Sequence, residues 1–201
     1  MVQPPPSGVR RMTGFEFVFP MFGLLVGLSF AEMLAGLARA LKNKREVRVG
    51  WLTPLLGLVI LLNLTVIWLG AWDMRDVAEP SSAGMLFILV VGGSYFLASS
   101  LVFPSSDADV RDLDEHFMAN RRLALLVIAG CNFLYLVRMS LKLGAGATPL
   151  WWIGNAGFLA LLVLAALSRD RRIILGVLMF LVAAHGVMLA MGGTASSLVS
   201  R

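Results

Sequence analysis

Six apolar runs of about 20 residues each divide this chain, and each is long enough to cross a hydrocarbon core of about 30 Å as a helix. They fall at 14 to 38, 51 to 72, 84 to 103, 123 to 142, 149 to 168 and 172 to 192. Hydrocarbon offers a bare backbone no hydrogen-bond partner, so uncharged runs of this length read as helices. The composition agrees: 58% of the 201 residues are apolar and 14% charged, against about 45–50% and about 25% in soluble domains. Such an excess does not fit inside one small core, which excludes soluble enzyme folds. The expected architecture is all-α, a polytopic membrane bundle of six transmembrane helices over 14 to 192. A disordered tail over 1 to 13 and a frayed tail over 193 to 201 flank it.

Local signals mark the ends of these spans. Thr13 and Glu16 are spaced as a capping box, and Pro20 should bend the first helix slightly. The 22-residue scale of this first apolar stretch is too long for a signal-peptide core of about 7–15 residues, so it reads as a span that is kept. Gly23 and Gly27 form a small face on which another helix can pack closely. Thr53-Pro54 and Thr148-Pro149 are cap-plus-proline starts, while Trp51, Trp68, Trp72, Trp151 and Trp152 read as interface anchors. Pro104 stops the third span. Between spans three and four, Val110, Leu113 and Phe117 recur on one stripe, which predicts a short interfacial helix over 107 to 120. Arg169-Asp170-Arg171 forces spans five and six into a tight hairpin. Trp51 and Trp152 open spans two and five at similar offsets from Leu24-Leu25-Val26 and Leu125-Leu126-Val127, a faint echo of a three-plus-three inverted repeat.

The net charge is +5, but the basic residues sit in short loops beside apolar runs. They therefore speak of topology rather than nucleic acid. Loops after spans one, three and five hold eleven of the 17 basic residues, including Arg39, Arg48, Arg111, Arg121 and Arg172. Placing that side in the cytoplasm puts both termini outside. The one cysteine, Cys131, lies within a span and forms no intramolecular disulfide. Asp107, Asp109, Asp112, Asp114, Glu115 and His116 lack the glycine turn of a calcium loop and read as a solvated acidic face paired with Arg111, Arg121 and Arg122.

Polar groups inside the bilayer are costly and need a partner or a purpose. At 1.5 Å per residue, Asn63, Asn132, Tyr135, Arg138, Asn155 and His185 fall between the mid-plane and roughly 9 Å toward the outside. They form a candidate ligand-binding layer, with interhelical hydrogen bonding and an Arg138 that snorkels to headgroups as the plainer alternative. Glu32, two turns before Arg39, is a candidate coupling carboxyl for a proton or cation. Several chemistries lack their residues. Bis-histidine haem needs two histidines in the bilayer, and only His185 is there. Retinal needs a lysine buried in the last span, and no phosphate-binding glycine loop or zinc ligand set occurs. No cofactor or metal is implied.

Phe15-Glu16-Phe17, Gly27-Leu28-Ser29, Leu34 and Gly36 before Arg39 resemble the start of uncharacterised bacterial six-helix inner-membrane proteins. Leu101 to Pro104, then Asp112-Leu113, His116-Phe117 and Asn120-Arg121-Arg122, are similar to their central loop. That resemblance implies a multi-pass protein of a bacterial inner membrane and brings no activity with it. Two functions therefore stand open. One is transport or binding of a small solute or ion through the polar layer. The other is a non-transporting accessory, scaffold or sensor subunit that meets a protein partner at its cytoplasmic loops.

Overall fold

In the computed structural model, which describes residues 14–43, 47–73, 81–104, 111–143 and 148–191, the chain forms six α-helices. They are α1 (Gly14–Lys42), α2 (Leu52–Asp73), α3 (Ser82–Val102), α4 (Leu113–Leu143), α5 (Pro149–Leu167) and α6 (Arg171–Ala190). All six are long and apolar enough to span a membrane. Their outward residues are large and apolar, among them Leu24, Leu86, Leu89, Phe133 and Phe180, as expected where the surrounding solvent is hydrocarbon. The two tails and Thr13 lie outside the described residues.

Helix starts follow their capping residues. Thr148 Oγ1 accepts from the Trp151 amide at 3.3 Å with Pro149 in the first turn, and Asp170 Oδ1 accepts from the Arg172 amide at 2.8 Å. Ser81 Oγ accepts from the Gly84 amide at 3.0 Å. Asp112 Oδ1 serves α4, accepting from the amides of Asp114 at 2.8 Å and Glu115 at 3.3 Å. The start of α2 departs from expectation. Its first amide, Leu52, donates to Asp114 Oδ1 from α4 at 3.0 Å, and Thr53, fully buried, donates its hydroxyl to the Leu113 carbonyl at 2.8 Å. Asp114 has taken the capping role, which frees Thr53 to tie α2 to α4. Backbone bonds from Arg48 to Arg111 at 2.8 Å and from Leu113 to Arg48 at 3.1 Å complete this knot.

The stretch read as a separate interfacial helix is divided. Residues 105–110 lie outside the described part, and from Leu113 the chain continues in α4 without a break to Leu143. Leu113 and Phe117 turn their stripe into the bundle, each 2% exposed. The acidic face is likewise not simply solvated, since Asp112 and Asp114 cap two helices. Arg121 is buried and donates to the Ser168 carbonyl, from Nε at 3.2 Å and Nη2 at 3.0 Å. It closes the end of α5 rather than pairing with an acid.

Two of the expected tryptophan anchors point inward. Trp151 is buried, and Trp68 packs between α1 and α2, stacked on Phe22 with ring centres 6.1 Å apart and against Phe19 at 4.6 Å. Gly23 makes room for that Trp68 ring, whereas a Cβ on Gly27 would meet nothing within 4 Å. Trp51 and Trp72 are exposed. The inverted-repeat echo is not matched in the packing: α1 lies along α3, but among the described residues the corresponding α4 and α6 do not touch.

Each helix has two neighbours in a ring that runs α1, α3, α4, α5, α6, α2 and back to α1, with α2 also reaching α3 and α4 across it. On the α1–α3 side the fit is tight. A Cβ on Gly36 would stand 2.3 Å from Phe103 Cδ2 and 2.8 Å from its Cβ. Phe103 is itself 4% exposed and cannot swing away. Gly36→Ala is therefore expected to cost about 1–2 kcal/mol through overpacking, measured as loss of unfolding free energy in bicelles; a stability equal to wild type would show that the α1–α3 contact is looser than this.

Candidate functional site

Four helices make a closed set: α2 touches α4, α4 touches α5, α5 touches α6, and α6 returns to α2. Along neither diagonal, α2 with α5 or α4 with α6, do the backbones come close among the described residues. Four rods joined only along their edges leave space at the centre. That space is a cavity of about 360 Å³, within the usual range for small-molecule sites of about 300–1,000 Å³.

Asn63 on α2, Asn132 and Tyr135 on α4, Asn155 on α5 and His185 on α6 border it, among apolar neighbours such as Trp151, Phe158, Leu161, Phe180 and Met188. Among the described residues no aspartate, glutamate, lysine or arginine lines it. The spacing of Asn155 and Phe158 on α5, and of Leu181, His185 and Met188 on α6, keeps each set on one helical face. His185 meets the Phe158 ring edge-on at 5.0 Å, joining the two faces.

Behind the cavity wall the polar groups form a directed chain through four helices. Asn132 Nδ2 donates to the Tyr95 hydroxyl at 2.8 Å, and that hydroxyl donates to Asn63 Oδ1. Asn63 Nδ2 lies 3.5 Å from His185 Nε2, and His185 Nδ1 lies 2.9 Å from the Leu181 carbonyl. The carbonyl can only accept, which places the imidazole proton on Nδ1 and leaves Nε2 to accept from Asn63. The chain then runs through neutral groups only, and it pins α4, α3, α2 and α6 at one level.

Five of the six residues of the expected layer thus border one space, and Arg138 does not. Its guanidinium lies over the Phe87 ring of α3, 4.7 Å from the centroid. Glu32 stands apart as well. It is on α1, which touches neither α4, α5 nor α6 among the described residues, and its Oε1 is 3.4 Å from Arg39 Nη2. Tyr95, 1% exposed, is the member that the sequence reading left out. A tyrosine in mid-span was the available signal, because a buried phenol requires a partner. Among the described residues no group of three His, Cys, Asp or Glu is placed to hold a metal. What the arrangement can do is accept an uncharged guest and orient it by hydrogen bonds. In comparisons with protein-family models, curated proteins and solved structures, none matches this chain.

Proposed function

We propose that the chain is a multi-pass membrane protein that binds a small uncharged solute in the cavity among α2, α4, α5 and α6 and moves it through the outer half of the bundle. One observation carries the reading: five neutral hydrogen-bonding side chains border a single cavity that, among the described residues, no charged side chain lines. An ion there would lose hydration worth many kcal/mol with no counter-charge to offset it, which favours a neutral solute over an ion. In this reading Glu32 and Arg138 do not touch the solute. The excess of basic residues in the loops after α1, α3 and α5 supports a cytoplasmic placement of that end, both termini outside, and the resemblance noted above supports a bacterial inner membrane.

Gly154 gives the test. It borders the cavity, and a Cβ there would meet nothing within 4 Å, so a phenylalanine enters open space. A panel of uncharged solutes is compared for proteoliposome flux and for thermal stabilisation of wild type and Gly154→Phe. At least one solute is expected to act on wild type and to lose about tenfold or more in the variant, equivalent to about 1.4 kcal/mol of binding. Identical behaviour of the two proteins across the panel would contradict the reading and leave the accessory-subunit alternative.

A further inference from the structure

The rim of the cavity indicates where its occupant comes from. Leu150, Ile153 and Phe180 line the cavity, yet they are 62%, 69% and 59% exposed. Gly154 and Ala184, also on the lining, are exposed too. On a membrane span, an exposed apolar side chain faces acyl chains rather than water. The cavity therefore has a mouth on the α5 and α6 side that opens into hydrocarbon, with its polar groups set deeper on the wall.

The hydrogen-bond inventory of that wall is incomplete. Asn155 Nδ2 donates to the Trp151 carbonyl at 2.8 Å, and Asn132 Nδ2 donates to the Ile128 carbonyl at 2.9 Å as well as to Tyr95. Carbonyl partners fix both amides with nitrogen toward the helix backbone, so each presents its oxygen elsewhere. Neither oxygen takes a hydrogen bond among the described residues, and neither is sealed away, since the one fully buried unpartnered side-chain oxygen there is Ser99 Oγ. Two acceptors wait on the cavity wall, and the Asn155 amide, which spends one of its two hydrogens on Trp151, adds an open donor among the described residues. A guest that satisfies the oxygens must bring a donor. Ketones, ethers and esters bring none, carboxylates and amines bring charge, and a plain hydrocarbon leaves both oxygens unpaired. A hydroxyl is the smallest neutral head that both donates and accepts, smaller than a carboxamide.

Resting on the solute-binding reading above, the geometry points to a specific class: an uncharged, hydroxyl-headed lipid-phase amphiphile. It slides in from the bilayer between α5 and α6 and donates its hydroxyl to Asn132 or Asn155. Its chain lies along Phe158, Phe180 and the rim.

The test uses the full chain in nanodiscs and a hexadecanol that carries a photoactivatable diazirine, with adducts mapped by mass spectrometry. Saturable adducts are expected on α5 and α6 around Phe180 and His185. Unlabelled hexadecanol should compete; hexadecane and hexadecyl methyl ether should not. Gly154→Phe should reduce these adducts about tenfold and leave those on the lipid faces of α1 and α3, near Leu24 and Leu86, unchanged. Asn155→Leu, which keeps the cavity, should weaken the competition several-fold. Adducts spread evenly over all lipid-facing residues, or equal competition by the methyl ether, would overturn the assignment. If water-soluble uncharged solutes respond to Gly154→Phe while hexadecanol does not, this inference fails and the solute-binding reading survives. If neither responds, both fail.

Discussion

Replacing Asn63 by leucine should lower the unfolding free energy of the bundle in lipid by about 2–4 kcal/mol, although the two side chains have similar volumes. Asn63 is 4% exposed and holds the middle of the chain of hydrogen bonds, accepting from Tyr95 and reaching toward His185. Interhelical hydrogen bonds in membranes are individually weak, averaging about 0.6 kcal/mol, so two lost bonds alone would give about 1 kcal/mol. The larger part comes from what is stranded. The Tyr95 hydroxyl, 1% exposed, would keep its donor proton with no acceptor, a cost of about 1–3 kcal/mol. His185 borders the cavity and loses less. The origin of the effect is checked with a double variant. Tyr95→Phe removes the stranded hydroxyl, and Asn132 keeps its bond to Ile128, so Asn63→Leu combined with Tyr95→Phe should be no less stable than Asn63→Leu alone. Full additivity of the two losses would show that the side chains act independently.

Arg121→Met is expected to cost about 2–4 kcal/mol by the same measurement, while retaining most of the stem volume. The last carbonyls of a helix have no partner within it and carry the negative end of its dipole. At the end of α5, Nε and Nη2 of Arg121 both reach the Ser168 carbonyl, and Nη1 donates to the Met118 carbonyl within α4. Charge-assisted bonds of this kind are worth about 1.5–3 kcal/mol, and the dipole adds up to about 1 more. Arg121→Lys keeps the charge but not the planar fork, so it should recover only part of the loss. A methionine variant within about 0.5 kcal/mol of wild type would mean that α4 and α5 are held together by apolar contact alone.

These two residues illustrate what the sequence makes legible. The number of helices and most of their ends follow from run length and from Thr148, Pro149, Asp170 and Pro104, because those signals act within a few residues of chain. Depth is also legible, since rise per residue places Asn63, Asn132, Tyr135, Asn155 and His185 at one level. Azimuth is not. A helix in lipid is apolar all round, so no stripe tells the bundle side from the lipid side, and Arg138 sits one helical turn from Tyr135 yet is turned onto Phe87 of α3 rather than into the cavity. Long-range capping was hidden for a similar reason. The partner of the Leu52 amide is Asp114, 62 residues away, and nothing local distinguishes that aspartate from the acidic residues around it. Arg121 looked like one more positive charge in a basic loop until the fold carried Ser168 to it. Trp151 carried the composition of an interface anchor and is core instead.

Everything functional here depends on real empty space among α2, α4, α5 and α6, and adding bulk measures that space most directly. Unfolding free energies in bicelles should be compared for wild type, Gly157→Phe and Leu162→Phe: Gly157 lines the cavity, is half-buried and has nothing within 4 Å of a Cβ, and Leu162 is a fully buried site in the same helix. Gly157→Phe is predicted to match or exceed wild type, since a phenyl ring gains contacts in a void and glycine is a poor helix former, while Leu162→Phe loses about 1–3 kcal/mol. A loss at Gly157 as large as the loss at Leu162 would mean that the four helices close on one another and that there is no cavity to fill.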